Sequence, residues 1–577
     1  MSIRKLFLFN TFWAFLSIGS HLFAAENEEC GVLLDQIILK FNTVSSVTSP
    51  DLGKPFWNEF SKENGLPVQS VKPMPSGAYL VTIDPKKIEQ LSQIKNKSKE
   101  DYFNDAIAQL LNQTDVKYAD RNATVCVIKS PVHTKAQLVL APNQLISHSS
   151  QWNEFNGPGG VFLESSPGAF NGAWTTTLGY ANPPIVLSNL ESINYNPDLA
   201  PNVLTGWSFS DNSTDVSDPK DNHGTHVAGI IAAAGSSQIN TGSDIAGMGP
   251  FLKILPIEPN YNYAAIETAI YWAMGRDIPG VPHNNYLAKV INASFYVKGS
   301  TQCPASLQET IDQFNKSNGV IIVAAGNNNK SIVDDMDAIL SCKNIIIVAA
   351  TQINGYRADY SNYGPLVTLA APGGEIPGSD SCYPGGILST VAANTGCQNS
   401  GFAFMDGTSF AAPHVSGIAG LIYALNPYIN AQEVKSILLE SVMPFGNTAD
   451  PERSCKGVKS CGVGIVNANK AVQLVTSGRT IIAAPSPTDL RLHTSFDPFN
   501  RCPPNKYVIK AESIASPITS KWVINDTTLA CQTLSMYENP TLQVNGQQLK
   551  VMYGKTVLTL QTPGLTCQVN NSHGFIC

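Results

Sequence analysis

Between residues 184 and 475, short apolar runs rich in β-branched side chains alternate with longer stretches of helical apolar spacing. The runs at 184–187, 253–257, 289–292, 320–324 and 345–348 predict strands. Several, such as Val320-Ile321-Ile322-Val323-Ala324, are apolar on both faces, which suits a strand whose sheet is covered by helices on each side. The predicted fold class is α/β, with a central parallel sheet flanked by helices. Ligands of such a domain bind beyond the carboxyl ends of the strands. Ahead of it, the apolar residues of 102–111 recur at helical spacing between strand-like runs at 78–83 and 116–118, the latter leading into 124–127. That predicts a small α+β unit ending near Ile128. Residues 131–160 and 477–498 read as linkers, being rich in Pro, Ser and other turn formers. Residues 499–577 alternate in short runs such as Lys521-Trp522-Val523-Ile524, which predicts a small β domain. No internal repeat is visible.

Composition narrows the class. With 577 residues, 43% hydrophobic and 14% charged, the chain can bury several cores and is not disordered by composition. The net charge of −7, with no block of basic residues, argues against nucleic acid as a partner. At the start, Arg4 and Lys5 precede an apolar run from Leu6 to Phe23 that Asn10 and Thr11 interrupt, and Ala24 and Ala25 come before Glu26. This reads as a secretory signal peptide over 1–25, and an uncleaved membrane anchor is the alternative. Beyond it no apolar stretch approaches the roughly 20 residues that cross a bilayer, so the mature chain is expected to be soluble, with no stable membrane span. The twelve cysteines fall in even groups. Cys30 and Cys126 come first, then Cys303, Cys342, Cys382, Cys397, Cys455 and Cys461, and finally Cys502, Cys531, Cys567 and Cys577. Even groups without a Cys-x-x-Cys motif fit disulfides closed within each segment of a secreted protein.

Three segments of the α/β region carry reactive groups. In Asp221-Asn222-His223-Gly224-Thr225-His226-Val227-Ala228-Gly229, an imidazole opens a helix of small residues, where it can act as a general base. In Val323-Ala324-Ala325-Gly326-Asn327, an amide follows a buried strand and can donate to a developing oxyanion. In Gly407-Thr408-Ser409-Phe410-Ala411-Ala412-Pro413-His414-Val415, a hydroxyl sits at a helix start, where unpaired N–H groups favour negative charge. Base, nucleophile and oxyanion donor are the inventory for acyl transfer through a serine ester. His223 and His226 could instead bind a metal, but no third ligand pattern accompanies them.

Taken together and in this order, the His223 and Ser409 segments resemble the subtilisin-like serine proteases, the subtilases or S8 peptidases. Further matches are Val290-Ile291-Asn292-Ala293-Ser294, Ser361-Asn362-Tyr363-Gly364-Pro365, Ala370-Ala371-Pro372-Gly373 and Cys461-Gly462-Val463-Gly464-Ile465-Val466-Asn467-Ala468. The resemblance implies a catalytic domain over 151–476 and a secreted serine endopeptidase that cleaves protein or peptide substrates through an acyl-enzyme on Ser409. By position, His223 would be the base and Asn327 the oxyanion donor, with His226 and His414 as packing residues. Residues 78–125 resemble the family's inhibitory propeptide, which implies a zymogen whose own propeptide, within 26–150, is a partner. No cofactor is certain. Calcium is common among such proteins, but no run of ligands here specifies a site. Proximity and resemblance suggest the pairings Cys303–Cys342, Cys382–Cys397 and Cys455–Cys461, while the last four cysteines leave three connectivities open.

The match breaks at the aspartate of the triad. Counting back from Pro197-Asp198-Leu199 puts Asn189 at the aspartate's place and Glu191 where the family has Gly. The neutral Asn189 amide can accept the imidazole Nδ1 proton or donate to Nδ1, so a weakened enzyme and a pseudo-protease that only binds peptides are both implied. Glu191 offers another arrangement. If the strand continued, its side chain would share a face with Asn189 about 6.5–7 Å away and could reach back to His223. Asp221 is expected to cap its helix. Tyr296 replaces a Gly that lines the family's cleft, which would reshape the primary pocket.

Overall fold

The computed structural model describes residues 32–42, 53–127, 150–166, 171–235, 245–297, 302–334, 338–377 and 381–477, with short strands beyond residue 490. The expected signal peptide and most of both expected linkers lie outside the described residues, as do the side chains of the C-terminal region. The first linker is shorter than expected at its far end. Residues Trp152–Glu154 already form a helical turn with Asn153 and Glu154 buried.

The N-terminal unit comprises β1 (Val32–Phe41), α1 (Lys54–Asn64), β2 (Val68–Pro73), β3 (Tyr79–Ile83), α2 (Pro85–Ile94), α3 (Lys99–Leu111) and β4 (Val116–Ala123). Its antiparallel sheet has the order β2-β3-β1-β4, so β1 is central and the unit begins well before residue 78. Local chemistry sets its helices. Pro85 follows the cap Asp84, whose carboxylate accepts from the N–H groups of Lys86 and Lys87, and Ser98 caps α3 through the Asp101 N–H. Ile37, Leu39, Trp57, Phe60, Ile83, Phe103 and Leu110 form its own core.

After β5 (Val125–Val127) come β6 (Val186–Asn189), β7 (Trp207–Ser208), α4 (His223–Ala232), β8 (Lys253–Glu258), α5 (Tyr263–Ala273), β9 (Ala288–Ala293), β10 (Phe295–Val297) and α6 (Ala305–Lys316). They are followed by β11 (Val320–Ala324), β12 (Ile346–Thr351), β13 (Leu369–Pro372), β14 (Ile387–Thr390), β15 (Phe402–Met405), α7 (Thr408–Leu425), α8 (Ala431–Glu440) and α9 (Ala468–Thr476). Seven strands make one parallel sheet, in the order β13-β12-β11-β9-β6-β8-β7. Alternate side chains serve opposite faces. Leu187, Val290, Ile322 and Val348 pack with α4 and α7 on one side. Val186, Ile291, Ile321 and Ile347 pack with α5 and α6 on the other. Both faces are apolar because both are covered, which is the physical content of the strand pattern. Helix α7 is long and apolar enough to cross a membrane by length and composition, but most of it is buried in this core.

The N-terminal sheet presents its second face to α5 and α6. Ile38, Met74, Ala78 and Tyr118 pack there with Ile266, Ile270, Leu307 and Ile311. Polar groups fix the register. Asp120 Oδ2 accepts from the Ser306 N–H at the start of α6 at 2.7 Å, and Asn122 Oδ1 accepts from Ala264 N–H near the start of α5 at 3.1 Å. Glu309 Oε1 accepts from Lys40 Nζ and Lys117 Nζ at 2.9 Å, and its Oε2 accepts from Tyr118 Oη at 3.0 Å. Strand β5, which leaves this unit, pairs antiparallel with β10, Cys126 opposite Tyr296. The three middle disulfides, Cys303–Cys342, Cys382–Cys397 and Cys455–Cys461, are formed as expected.

Candidate active site

The reactive groups gather beyond the carboxyl ends of β6, β9 and β11, where a parallel sheet leaves a crevice between its loops. His223 opens α4 and Ser409 lies in the first turn of α7, and the two helices pack side by side on one face of the sheet. Phe410 joins them, its ring centroid 5.3 Å from that of His223 and 4.5 Å from that of His226. Asn327 follows β11. Its Oδ1 accepts from the Thr408 N–H at 2.9 Å and the Thr408 hydroxyl at 2.8 Å. With the oxygen held, Nδ2 lies beside Gly407, 3.1 Å from where a Cβ would stand on that residue. Gly407 has φ of 150°, a backbone region that favours glycine, so the approach of amide and helix start depends on it.

The carboxylate partner of the imidazole is not at position 189. Glu191 Oε1 lies 2.9 Å from His223 Nδ1, and Glu191 is only 3% exposed. Asn189 instead donates from Nδ2 to the Gly224 carbonyl at 3.2 Å. The expected placement of Asn189 behind the imidazole is therefore corrected. Asn189 does end β6, where the count put it, but its amide turns to the Gly224 carbonyl and the carboxylate comes from two residues further along the chain. Strand β6 ends at Asn189, so Glu191 reaches the ring from the turn that follows and not from a continued strand. Gly224 permits this approach. A Cβ there would stand 2.2 Å from the Ser192 carbonyl oxygen and 2.7 Å from Glu191 Cβ. Asn194 latches the turn to the head of α4, its Nδ2 donating to the Asp218 and Asp221 carbonyls at 2.8 and 2.6 Å.

Burial alone would pull the His223 imidazolium below its ordinary value. The Glu191 charge and hydrogen bond, aided by Asp221, outweigh it and hold the pKa above that value. His223 Nε2, the other ring nitrogen, is shielded from solvent and has no hydrogen-bond partner among the described residues. A bond from Ser409 to this nitrogen is thus not formed here, which is common for catalytic contacts that close only around substrate. Asp221 Oδ1 accepts from the His223 N–H at 2.8 Å, so it caps α4 as expected. His226 and His414 are packing residues. Burial pulls their pKa values down to about 3 and about 4, and they bond to the Ala403 and Phe410 carbonyls. The side chain of Tyr296 lies outside the described residues. No group of three His, Cys, Asp or Glu residues that could hold a metal ion occurs among the described residues, so no calcium ligand set is assigned.

The Val290-Ile291-Asn292-Ala293-Ser294 segment builds a buried polar network behind the nucleophile that its spacing did not predict. Asn292 Nδ2 lies 3.4 Å from Asn189 Oδ1 and donates to Ser294 Oγ at 3.0 Å. Ser294 Oγ donates to the Ser409 carbonyl at 2.9 Å, and Ser416 Oγ donates to Asn292 Oδ1 at 2.9 Å. An Asn in an otherwise apolar central strand was the available signal, since a buried amide requires partners.

A carboxylate–imidazole pair, a serine at a core-helix start and an amide clamped beside it, at the carboxyl edge of a parallel sheet, are the parts of a serine hydrolase centre. The model of the Subtilase family matches residues 120–470, more than half of the chain, and the chain belongs to that family. Among its relatives, the extracellular basic protease of Dichelobacter nodosus is 35% identical over 263 residues, covering 44% of this chain and 39% of that protein. The extracellular protease of Xanthomonas campestris is 30% identical over 339 residues, 53% of each chain. The match thus spans about half the length of these relatives. Thermitase of Thermoactinomyces vulgaris is 32% identical over 287 residues, 48% of this chain and 84% of thermitase. Among solved structures, fervidolysin of Fervidobacterium pennivorans superposes with a TM-score of 0.51 at 18% identity, covering 78% of this chain and 62% of that one, a likeness of fold.

Proposed function

We propose that this chain is a secreted serine endopeptidase in which Glu191, His223 and Ser409 form the triad. The observation that carries the reading is the 2.9 Å contact between Glu191 Oε1 and His223 Nδ1. It fixes the tautomer, because a carboxylate can only accept, so Nδ1 keeps its proton and Nε2 is left as the base. When an extended peptide enters, Ser409 Oγ attacks the scissile carbonyl carbon and its proton passes to Nε2. The imidazolium so formed is stabilised by the Glu191 charge. Asn327 Nδ2 donates to the developing oxyanion, and the positive end of α7 adds to that field. Nε2–H then protonates the leaving amine, and water resolves the ester by the reverse proton path. A neutral Asn189 by itself would favour a binder without turnover, and Glu191 supplies the charge that Asn189 lacks.

Secretion is supported by the N-terminal pattern, by the disulfides, and by relatives named as extracellular proteases. Residues 32–127 act as an inhibitory propeptide in this reading, since β5 leads from them onto β10, directly after Ser294 beside the nucleophile. Ser409→Ala should leave the N-terminal unit attached after secretion and abolish hydrolysis of a peptide amide. Glu191→Gln should lower kcat by about 3 × 10⁴, the scale at which subtilisin responds to loss of its triad aspartate. Trimming and turnover that persist in Ser409→Ala would reject the reading.

A further inference from the structure

We propose that Asn189 is a positioning residue whose amide, through Asn292 and Ser294, ties the first turn of the histidine helix to the nucleophile. The proposal rests on the triad reading above and assigns Asn189 a part outside the triad. The route has two ends. At one, Asn189 Nδ2 donates to the carbonyl of Gly224, the residue next to His223. At the other, Ser294 Oγ donates to the carbonyl of Ser409 itself. Between them Asn292 Nδ2 contacts Asn189 Oδ1 and Ser294 Oγ, and Ser416 closes the network on Asn292 Oδ1. Asn189, Asn292, Ser294 and Ser416 are all fully buried, so no water competes for these bonds. Each amide's orientation follows from its partners: a carbonyl can only accept, so Nδ2 of Asn189 must face Gly224 and its oxygen must face Asn292.

A carboxylate fails at this position for the same reason. Asn189→Asp would set a negative oxygen against the Gly224 carbonyl in a buried site, and among the described residues no cation bonds to this network. Only a protonated Asp, donating its O–H to Gly224 and accepting from Asn292, reproduces the amide. The site therefore distinguishes bridge from triad by the sign of one substitution. A displaced triad position would gain from an aspartate. A bridging position loses.

The test is hydrolysis of a peptide amide from pH 5 to 9 by wild type, Asn189→Asp, Asn189→Ala and Ser409→Ala. Turnover is normalised to serine titrated by a fluorophosphonate, and folding is checked by thermal unfolding. Asn189→Asp should lose roughly ten- to hundredfold in kcat at pH 8, the scale of an unsatisfied buried polar group, with KM little changed. Its kcat relative to wild type should climb as pH falls and the carboxyl protonates. Asn189→Ala should lose a similar factor with no such pH dependence. If neither folds, Ser294→Ala interrupts the route at its other end and should lower kcat severalfold. Asn189→Asp faster than wild type, a folded Asn189→Ala at wild-type kcat, or Ser294→Ala without effect would overturn the proposal. Turnover in Ser409→Ala would instead remove the triad reading on which it stands.

Discussion

Glu191 occupies a place where the chain has already left its strand, and its extra methylene relative to aspartate is taken up by that turn. Its charge holds the His223 imidazolium above the ordinary histidine value against the opposing pull of burial. In the proposed triad the base works only when Nε2 is bare, so kcat/KM should rise with pH through an apparent pKa above 6.5. Glu191→Gln keeps the hydrogen-bonding shape but removes the charge, so the midpoint of that acid limb should move to lower pH as activity falls. A pH–rate profile of both proteins checks this, and an unmoved midpoint would mean that another group sets the limb. At this scale His223, Ser409 and Asn327 were legible because their motifs are contiguous in the chain. Glu191 was legible only as an alternative partner of His223, because its reach depended on where β6 stops.

Between elements, the placement of α4 is decided by a glycine and two hydroxyls. Ser389 Oγ donates to the His226 carbonyl at 2.7 Å and Thr390 Oγ1 to the Thr225 carbonyl at 2.9 Å, pinning α4 against β14. A Cβ on Gly229 would stand 2.4 Å from the Ser389 hydroxyl, 2.2 Å from that of Thr390 and 3.0 Å from the Thr390 backbone nitrogen. Alanine favours a helix by about 1 kcal/mol over glycine, but overpacking of this kind costs roughly 1–3 kcal/mol, and the stiff Thr390 cannot swing away. Gly229→Ala should therefore destabilise the protein and lower kcat by lifting the histidine helix, as read by denaturant unfolding in the Ser409→Ala background and by turnover without it. The strand runs of the central sheet were visible as doubly apolar segments. The central β1 was not legible as a strand, because the short apolar run Ile37-Ile38-Leu39 cannot be told from a buried helical segment by periodicity alone.

Across the whole molecule, the N-terminal sheet seals α5 and α6 and leaves Glu267 fully buried, with neither carboxylate oxygen hydrogen-bonded among the described residues. Burial, with Asp120 and Glu309 nearby, outweighs the opposing Ser306 hydroxyl and Lys40 and pushes its pKa up to about 8 from an ordinary 4.5. The folded chain thus holds a proton that the unfolded chain gives up above 4.5, so stability falls as pH rises from about 4.5 to about 8 and this contribution levels off beyond. Thermal midpoints of Ser409→Ala chain should decline over that window, and Glu267→Gln should flatten the decline. Equal slopes in both proteins would show that other groups carry it.

Alternation of apolar residues, helix caps and the reactive motifs were determined by the sequence alone, because each depends on neighbours a few positions apart. So did the expectation of paired cysteines, which follows from their even grouping. The tertiary structure decided which carboxylate meets the imidazole and what the displaced amide does instead. Those outcomes are set by where β6 stops, by how closely Gly224 and Gly229 let the histidine helix approach, and by a carbonyl that only a donor can satisfy.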